Sequence, residues 1–317
     1  MELDGVKVVV LGGGVSGERA VSLESSKNAW GALKRSGVDA VLLDVNTIDE
    51  KKLIAMIKET GAQMAFIALH GEFGEDGAIQ AILGSILLPY TGSGPKASYD
   101  AMDKIRAKEI FIKNGISTPR YEVALTRDYR FTGAYPVVVK PFFSGSSLGV
   151  SIVNAPEALS AAIEEALKYK GGKALIEEYI DGRELTVGIL DETALEVVEI
   201  VPKSGFYDFG NKYSDGVTDF LAPAPLADTT RKELKSLALR AHIALNCRHF
   251  SRVDIRLSSK KFPYVLEVNS IPGLTSHSLL PLSAKCLGIS YDELILRMAS
   301  LAWRTRVNNR VLYGEKK

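Results

Sequence analysis

Two periods of apolar residues alternate along the first third of the chain. VKVVVLGGG, AVLLDVN and MAFIALHG are short, nearly continuous apolar runs, the pattern of strands buried on both faces. Between them, SLESSKNAWGALKRSG and KKLIAMIKETG repeat apolar residues at helical spacing, and each stops at a glycine. This β-α-β-α-β order predicts a doubly wound parallel sheet. AIQAILGSI reads as a further helix, and LPYTGSGPKAS as a glycine- and proline-rich crossing, so a first boundary falls near residue 95.

The pattern then changes twice. DAMDKIRAKEIFIKNG reads as one helix, YPVVVKPFFSGSSLGVSIV as strand, loop and strand, and APEALSAAIEEALKYKGG as a helix with proline in its first turn. KALIEEYI is the next strand. From about residue 184 longer strands follow, ELTVGIL and ALEVVEIVP, then a polar stretch, SGFYDFGNKYSDGVTDFLAPAPL. A stretch this long without periodicity points to a functional loop, and its aromatics argue against simple disorder. Helix 229–245, a hairpin at 251–273 and helix 291–303 complete the chain. The expectation is three α/β units in a row, 1–95, 96–183 and 184–317.

The hairpin SRVDIRLSSKKFPYVLEVNSIPG carries unusual charge for its length. Side chains two apart on a strand share a face, so Arg252 and Asp254 point one way, as do Glu267 and Asn269. Pairing through the SSKK turn would gather two carboxylates, an amide and a guanidinium on one patch. The hairpin alone leaves open a solvated face with scattered salt bridges.

Composition narrows the classes. Lysine plus arginine number 39 and aspartate plus glutamate 38, so nothing suggests a nucleic-acid partner. Two cysteines, Cys247 and Cys286, are too few for a disulfide framework, and a reduced cytoplasmic setting is expected. The N-terminus lacks the basic start and cleavage site of a signal peptide, and no apolar run approaches the roughly 20 residues of a membrane span.

Two glycine loops invite phosphate chemistry. Gly12, Gly14 and Gly17 satisfy G-x-G-x-x-G after a strand, and Asp44 closes the second strand as a ribose-binding acid would. Glu18, however, would set a carboxylate beside the pyrophosphate at the helix N-terminus; the same positive end suits Glu18 as an anchor for an amine. In FFSGSSLGVS, Ser144, Gly145, Ser146, Ser147 and Gly149 offer amides and hydroxyls to phosphates, with Lys140 closing the strand before them. A flexible turn is the alternative. LIEEYIDGREL at 175–185 joins two strands, where backbone could meet a base and Glu184 ribose hydroxyls.

Taken together, the motifs resemble the ATP-grasp ligases and, within them, the D-alanine–D-alanine ligase family. The markers run over essentially the whole chain: GGGVSGERAVSL, LHGEFGEDGAIQ, LPYTGSG, MDKIRAK, VVVKPFFSGSSLGVS, FYDFGNKYSD, RVD and LEVNSIPGLTSHSLLP. The resemblance implies ATP bound between the central and C-terminal units of an ATP-grasp fold. It implies Asp254, Glu267 and Asn269 as ligands of two Mg2+ ions, with Mn2+ as a substitute, and Arg252 as a stabiliser of the reacting centre. Lys104, Lys140 and Lys212 match phosphate-binding lysines, and Ser147 belongs to the phosphate loop. Glu177, Tyr179, Ile180 and Glu184 match contacts to adenine and ribose. Glu18 matches the anchor of the first substrate's ammonium, linked through Ser146 and Tyr213 to the closed loop, with His70 beside that pocket. Gly273 would complete an oxyanion site, and Ser278 with Leu279 would receive the second substrate's carboxylate.

The implied reaction joins two D-alanine molecules through an acyl phosphate for peptidoglycan precursor synthesis. A D-alanine–D-lactate ligase or another carboxylate–amine ligase is the alternative. Tyr213 favours the dipeptide, because relatives making the ester tend to carry histidine in that loop. The 204–220 stretch is expected to act as a lid, and a homodimer is expected. His242 reads as a packing or surface residue; Ser276-His277-Ser278 lacks a nucleophile elbow; Arg304, Arg306 and Arg310 read as a solvated helix end; Trp30 and Trp303 read as packing.

Overall fold

A computed structural model of the chain describes residues 2–146, 148–203, 217–275 and 278–306. Strand β1 (Lys7–Gly13) lies between β2 (Asp39–Val45) and β3 (Met64–Ile67), parallel to both. Its side chains alternate between two cores, as a period of two requires. Val8 and Val10 join Ala29 and Leu33 of α1 (Arg19–Arg35) on one face. Val9 and Leu11 join Leu53 and Ile57 of α2 (Glu50–Glu59), with Ile79 and Leu83 of α3 (Ala78–Ser85), on the other. The doubly wound expectation is met, and the apolar run of β1 is explained by burial on both sides.

The helix expected from DAMDKIRAKEIFIKNG is two helices, α4 (Pro95–Met102) and α5 (Lys104–Lys113). Asp103 takes extended backbone, and its carboxylate accepts from the amides of Ile105 and Arg106 at 3.1 and 3.0 Å. An aspartate that caps a helix competes with the helix running through it. Next come β4 (Tyr121–Ala124), β5 (Val137–Pro141), β6 (Ser151–Val153), α6 (Leu159–Leu167) and β7 (Ala174–Glu178). They form an antiparallel sheet in the order β4-β7-β5-β6, and α6 packs Ile163 and Ala166 on its apolar face.

A second antiparallel sheet, in the order β10-β9-β8-β11-β12, contains β8 (Gly182–Leu190), β9 (Thr193–Pro202), β10 (Thr218–Leu221), β11 (Phe250–Ser258) and β12 (Pro263–Asn269). Helix α7 (Asp228–Ala244) covers it with Leu234, Leu237 and Ala241, beside Ala107 and Phe111 of α5. Helices α8 (Leu279–Lys285) and α9 (Tyr291–Arg304) instead place Leu280, Ala284, Leu294 and Met298 in the core shared with β1 and α1. The packing cores therefore do not follow the order of the chain. Among the described residues, no helix is long and apolar enough to cross a membrane.

Candidate active site

The charged hairpin folds with the pairing its sequence allows. In the β11–β12 register Arg252 lies opposite Asn269 and Asp254 opposite Glu267, and the register shifts only after Asp254. Asp254 is buried and fully engaged: it accepts from Thr186 Oγ1 of β8 at 2.6 Å, from Arg252 at 2.9 and 2.8 Å, and from Asn269 Nδ2 at 3.1 Å. Glu267 lies 3.2 Å from Lys104 Nζ, which also donates to the Ser144 carbonyl at 2.7 Å. This is a converged cluster, not a solvated face. Its oxygen donors are two carboxylates on adjacent strands and the Asn269 amide oxygen, left outside the contact that Nδ2 makes. Such a hard set fits Mg2+ or Mn2+, with substrate phosphates completing it.

A cleft of about 840 Å3 to its open mouth separates the two antiparallel sheets. Lys104, Lys140, Glu177, Tyr179, Ile180, Glu184, Asp254 and Glu267 all line it, together with Ser144 and Gly145 of the serine-glycine loop. Lys140 lies opposite Leu175 and Glu177 opposite Val138 in the antiparallel β5–β7 pair, so the two are diagonal neighbours on one face, and Lys140 Nζ lies 2.7 Å from Glu177 Oε2. Lys108 Nζ lies 2.8 Å from Oε1 of the same carboxylate. Burial pushes the Glu177 carboxyl up, but the two ammonium groups overcome it and hold it below the ordinary range. Arg256 pairs with Glu184 at 3.1 Å, donates to the Ile180 carbonyl at 3.2 Å and sits over the Tyr179 ring.

Glu18 does not cap α1 through its side chain. It is buried where the serine-glycine loop meets the N-terminal sheet: a methyl group added to Gly145 would come within 2.9 Å of its Oε1. Ser16 Oγ accepts from the Glu18 amide at 3.2 Å and donates to the His70 carbonyl at 2.7 Å. The His70 ring bridges Ser25 Oγ at 2.9 Å and Glu75 Oε1 at 3.4 Å, and Ser25 Oγ accepts from the Leu274 amide at 3.3 Å. That amide follows Gly273, so the histidine expected beside the first substrate and the expected oxyanion glycine are linked through Ser25.

Glu75 and Ser25 escaped the sequence reading. Glu75 borders a smaller recess with Lys104, Gly145, Glu267 and Asn269, next to the main cleft. Burial is the main cause that raises its carboxyl above the ordinary range, the His70 hydrogen bond opposes it, and the Glu18 charge adds to it. The signal available in the sequence was the dense acidic motif GEFGED at 71–76. Ser278 Oγ accepts from the Thr275 amide at 2.9 Å and lies close to Gly273, while Leu279 is buried in an apolar cluster with Val198 and Ile200. Ser146 is described, with positive φ (51°). Ser147, Lys212, Tyr213, His277, Arg310 and most of the 204–220 stretch expected to be a lid lie outside the described residues.

The other features have structural work. Asp44 forms an ion pair with Arg19 at 2.7 Å, and a methyl group at Gly12 would collide with Ser26, so the first glycine loop is filled by its own side chains. This removes the dinucleotide reading. His242 is buried, its ring 2.7 Å from Ser251 Oγ and its pKa pushed down to about 4 by desolvation. Trp30 and Trp303 pack on the core around α1 and α9. Arg304 pairs with Glu2, and Arg306 stacks on Trp303.

A family profile described as "D-ala D-ala ligase C-terminus" matches residues 109–300. A D-alanine–D-alanine ligase of Syntrophotalea carbinolica is 43% identical over 300 residues, 94% of this chain and 96% of the relative. One of Hydrogenovibrio crunogenus is 42% identical over 299 residues, covering 93% and 94%. The crystal structure of the Bacillus anthracis D-alanine–D-alanine ligase complexed with ATP superposes with a TM-score of 0.84 at 32% identity, over 96% of this chain and 98% of that one. Profile, relatives and fold agree on ground the converged hairpin and cleft had already marked out: the chain belongs to the D-alanine–D-alanine ligase family.

Proposed function

We propose that the chain uses ATP to join two D-alanine molecules into D-alanyl-D-alanine, as an enzyme of peptidoglycan precursor synthesis. The observation that carries this reading is one cleft lined by Lys104, Lys140, Asp254 and Glu267, with Glu18 brought against its loop. In this reading 1–95 holds the first substrate, 96–183 the phosphate loop and adenine side, and 184–317 the metal hairpin and the second substrate.

Glu177 and the backbone near Tyr179 and Ile180 receive adenine, Glu184 the ribose, and Lys104 and Lys140 the phosphates. Asp254, Glu267 and Asn269 would hold Mg2+, which when bound neutralises and orients phosphate oxygens. Glu18 holds the ammonium of the first D-alanine so that its carboxylate faces the γ-phosphate; attack forms an acyl phosphate and releases ADP. Ser278 and the Leu279 backbone place the second D-alanine by its carboxylate. Its free amine attacks the acyl carbon, Arg252 and the Gly273 amide stabilise the oxyanion, and phosphate leaves with the new amide formed. No covalent nucleophile is needed, because positioning and charge neutralisation carry the work. Ser146 links Glu18 to the loop, and Ser147, Lys212 and Tyr213 are assigned to the closed loop and lid. A homodimer in the cytoplasm fits the family resemblance, and the unpaired Cys247 and Cys286 fit a reduced compartment.

The test is phosphate release from ATP with Mg2+ and D-alanine, with L-alanine and with D-alanine plus D-lactate in parallel, products being identified by mass. Dipeptide from D-alanine alone is expected. Ester from the mixture would keep the ligase and change the second substrate, whereas no turnover with any of them would remove the reading.

A further inference from the structure

Lys108 lies one helical turn after Lys104 on α5 but has no surface in the cleft, and its side chain is fully buried. A lysine almost never reaches that state unless it is paired. Its ammonium donates to Thr118 Oγ1 at 2.6 Å and to the Pro119 carbonyl at 3.3 Å, and it forms an ion pair with Glu177 Oε1 at 2.8 Å. The Tyr121 ring lies 5.5 Å away. On the far side of the same carboxylate, Oε2 meets Lys140, and both Lys140 and Glu177 face the cleft.

We infer that Lys108 is a positioning residue of the nucleotide site, holding Glu177 by one oxygen so that the other fixes Lys140 at the phosphate and adenine surface. The inference rests on the ligase reading only in taking the cleft as the ATP site. The charge arithmetic gives it content. One carboxylate between two ammonium groups leaves a net positive charge beside the cleft, in a poorly solvated setting where charge acts strongly. Without Lys108, Glu177 would neutralise Lys140 outright and could turn away from its strand-pair geometry. Lys108 stays protonated near neutrality although burial pulls it down to about 8; the Glu177 charge opposes that pull, while the Lys140 and Lys104 charges add to it.

A merely structural ion pair would look the same in a stability measurement, so the test reads nucleotide affinity. Calorimetric binding of ATP with Mg2+ is compared for wild type, Lys108→Met, Glu177→Gln and the double variant. Lys108→Met should weaken ATP by about tenfold or more, as expected when a buried carboxylate of the site loses one of its two ion-pair partners. The KM for D-alanine at saturating ATP should move less than about twofold, as expected of a residue acting on nucleotide binding alone. In the Glu177→Gln background the same change should add less than about twofold, because residues acting through one another are not additive. Equal ATP affinity of Lys108→Met and wild type, or a full additional loss in the double variant, overturns the inference.

Removing one partner of a buried pair can prevent folding, whereas removing both is usually tolerated. If Lys108→Met fails to fold, the double variant against Glu177→Gln alone decides: equal affinity supports the inference and a further tenfold loss overturns it. Wild type that binds ATP but forms no dipeptide defeats the ligase reading and leaves this comparison standing. Wild type that binds no ATP defeats both.

Discussion

Glu75 sits where three charges compete, between His70 and the neighbourhood of Glu18 and Arg252. Its carboxyl is raised in the folded chain, mainly by burial. A raised acid contributes stability that is present below its unfolded pKa and is lost as pH rises through the folded value. Glu75→Gln keeps the neutral form and does not incur that loss. Thermal unfolding of the unliganded protein from about pH 4 to about pH 8 should therefore show the variant gaining on wild type as pH rises. Parallel curves would mean that Glu75 is not desolvated as described. At this scale the sequence named Glu18, Asp254, Glu267 and Asn269 because motif order placed them. It left out Glu75, Ser25 and Lys108, whose importance lies in what surrounds them.

Among elements, α5 shows how one side chain sets a site. Asp103 ends α4, caps α5 and thereby orients Lys104 toward Ser144 and Glu267. Asp103→Ala should cost about 1 kcal/mol, read as a lower urea midpoint, and should weaken ATP binding through Lys104. An unchanged midpoint would show that the cap contributes nothing. The periodicity of DAMDKIRAKEIFIKNG is helical on both sides of the cap, so pattern alone merged two helices. Strands β4 and β10 were missed for a related reason: each has four residues at a sheet edge and is only partly buried, too short to declare a period. The β11–β12 hairpin was legible because alternation fixes which residues share a face, and Arg252, Asp254, Glu267 and Asn269 fall in register.

For the whole molecule, the first and last of the described helices meet. Met298 of α9 is fully buried in the core formed by β1, α1, α8 and α9, and Trp30 and Trp303 pack on that core. Met298→Ala should destabilise the protein by about 2–5 kcal/mol. Because this core joins the first and last described helices, tryptophan fluorescence and far-UV circular dichroism should fall together in denaturant. An early, separate fluorescence transition would show that this core unfolds apart from the rest.

By itself the sequence determined the doubly wound start, the sheet-forming runs that follow, the charged hairpin and the family to which their order belongs. Those features are local in register or carried by motifs, and a period of two or 3.6 residues is enough to express them. The tertiary structure alone decided that α5 shares a core with α7 and the C-terminal sheet, and that α9 packs on α1. It also decided that Asp44 is taken by Arg19, and that Lys108 stands behind Glu177. Burial and charge pairing between residues dozens of positions apart have no period along the chain, so only the folded arrangement could supply them.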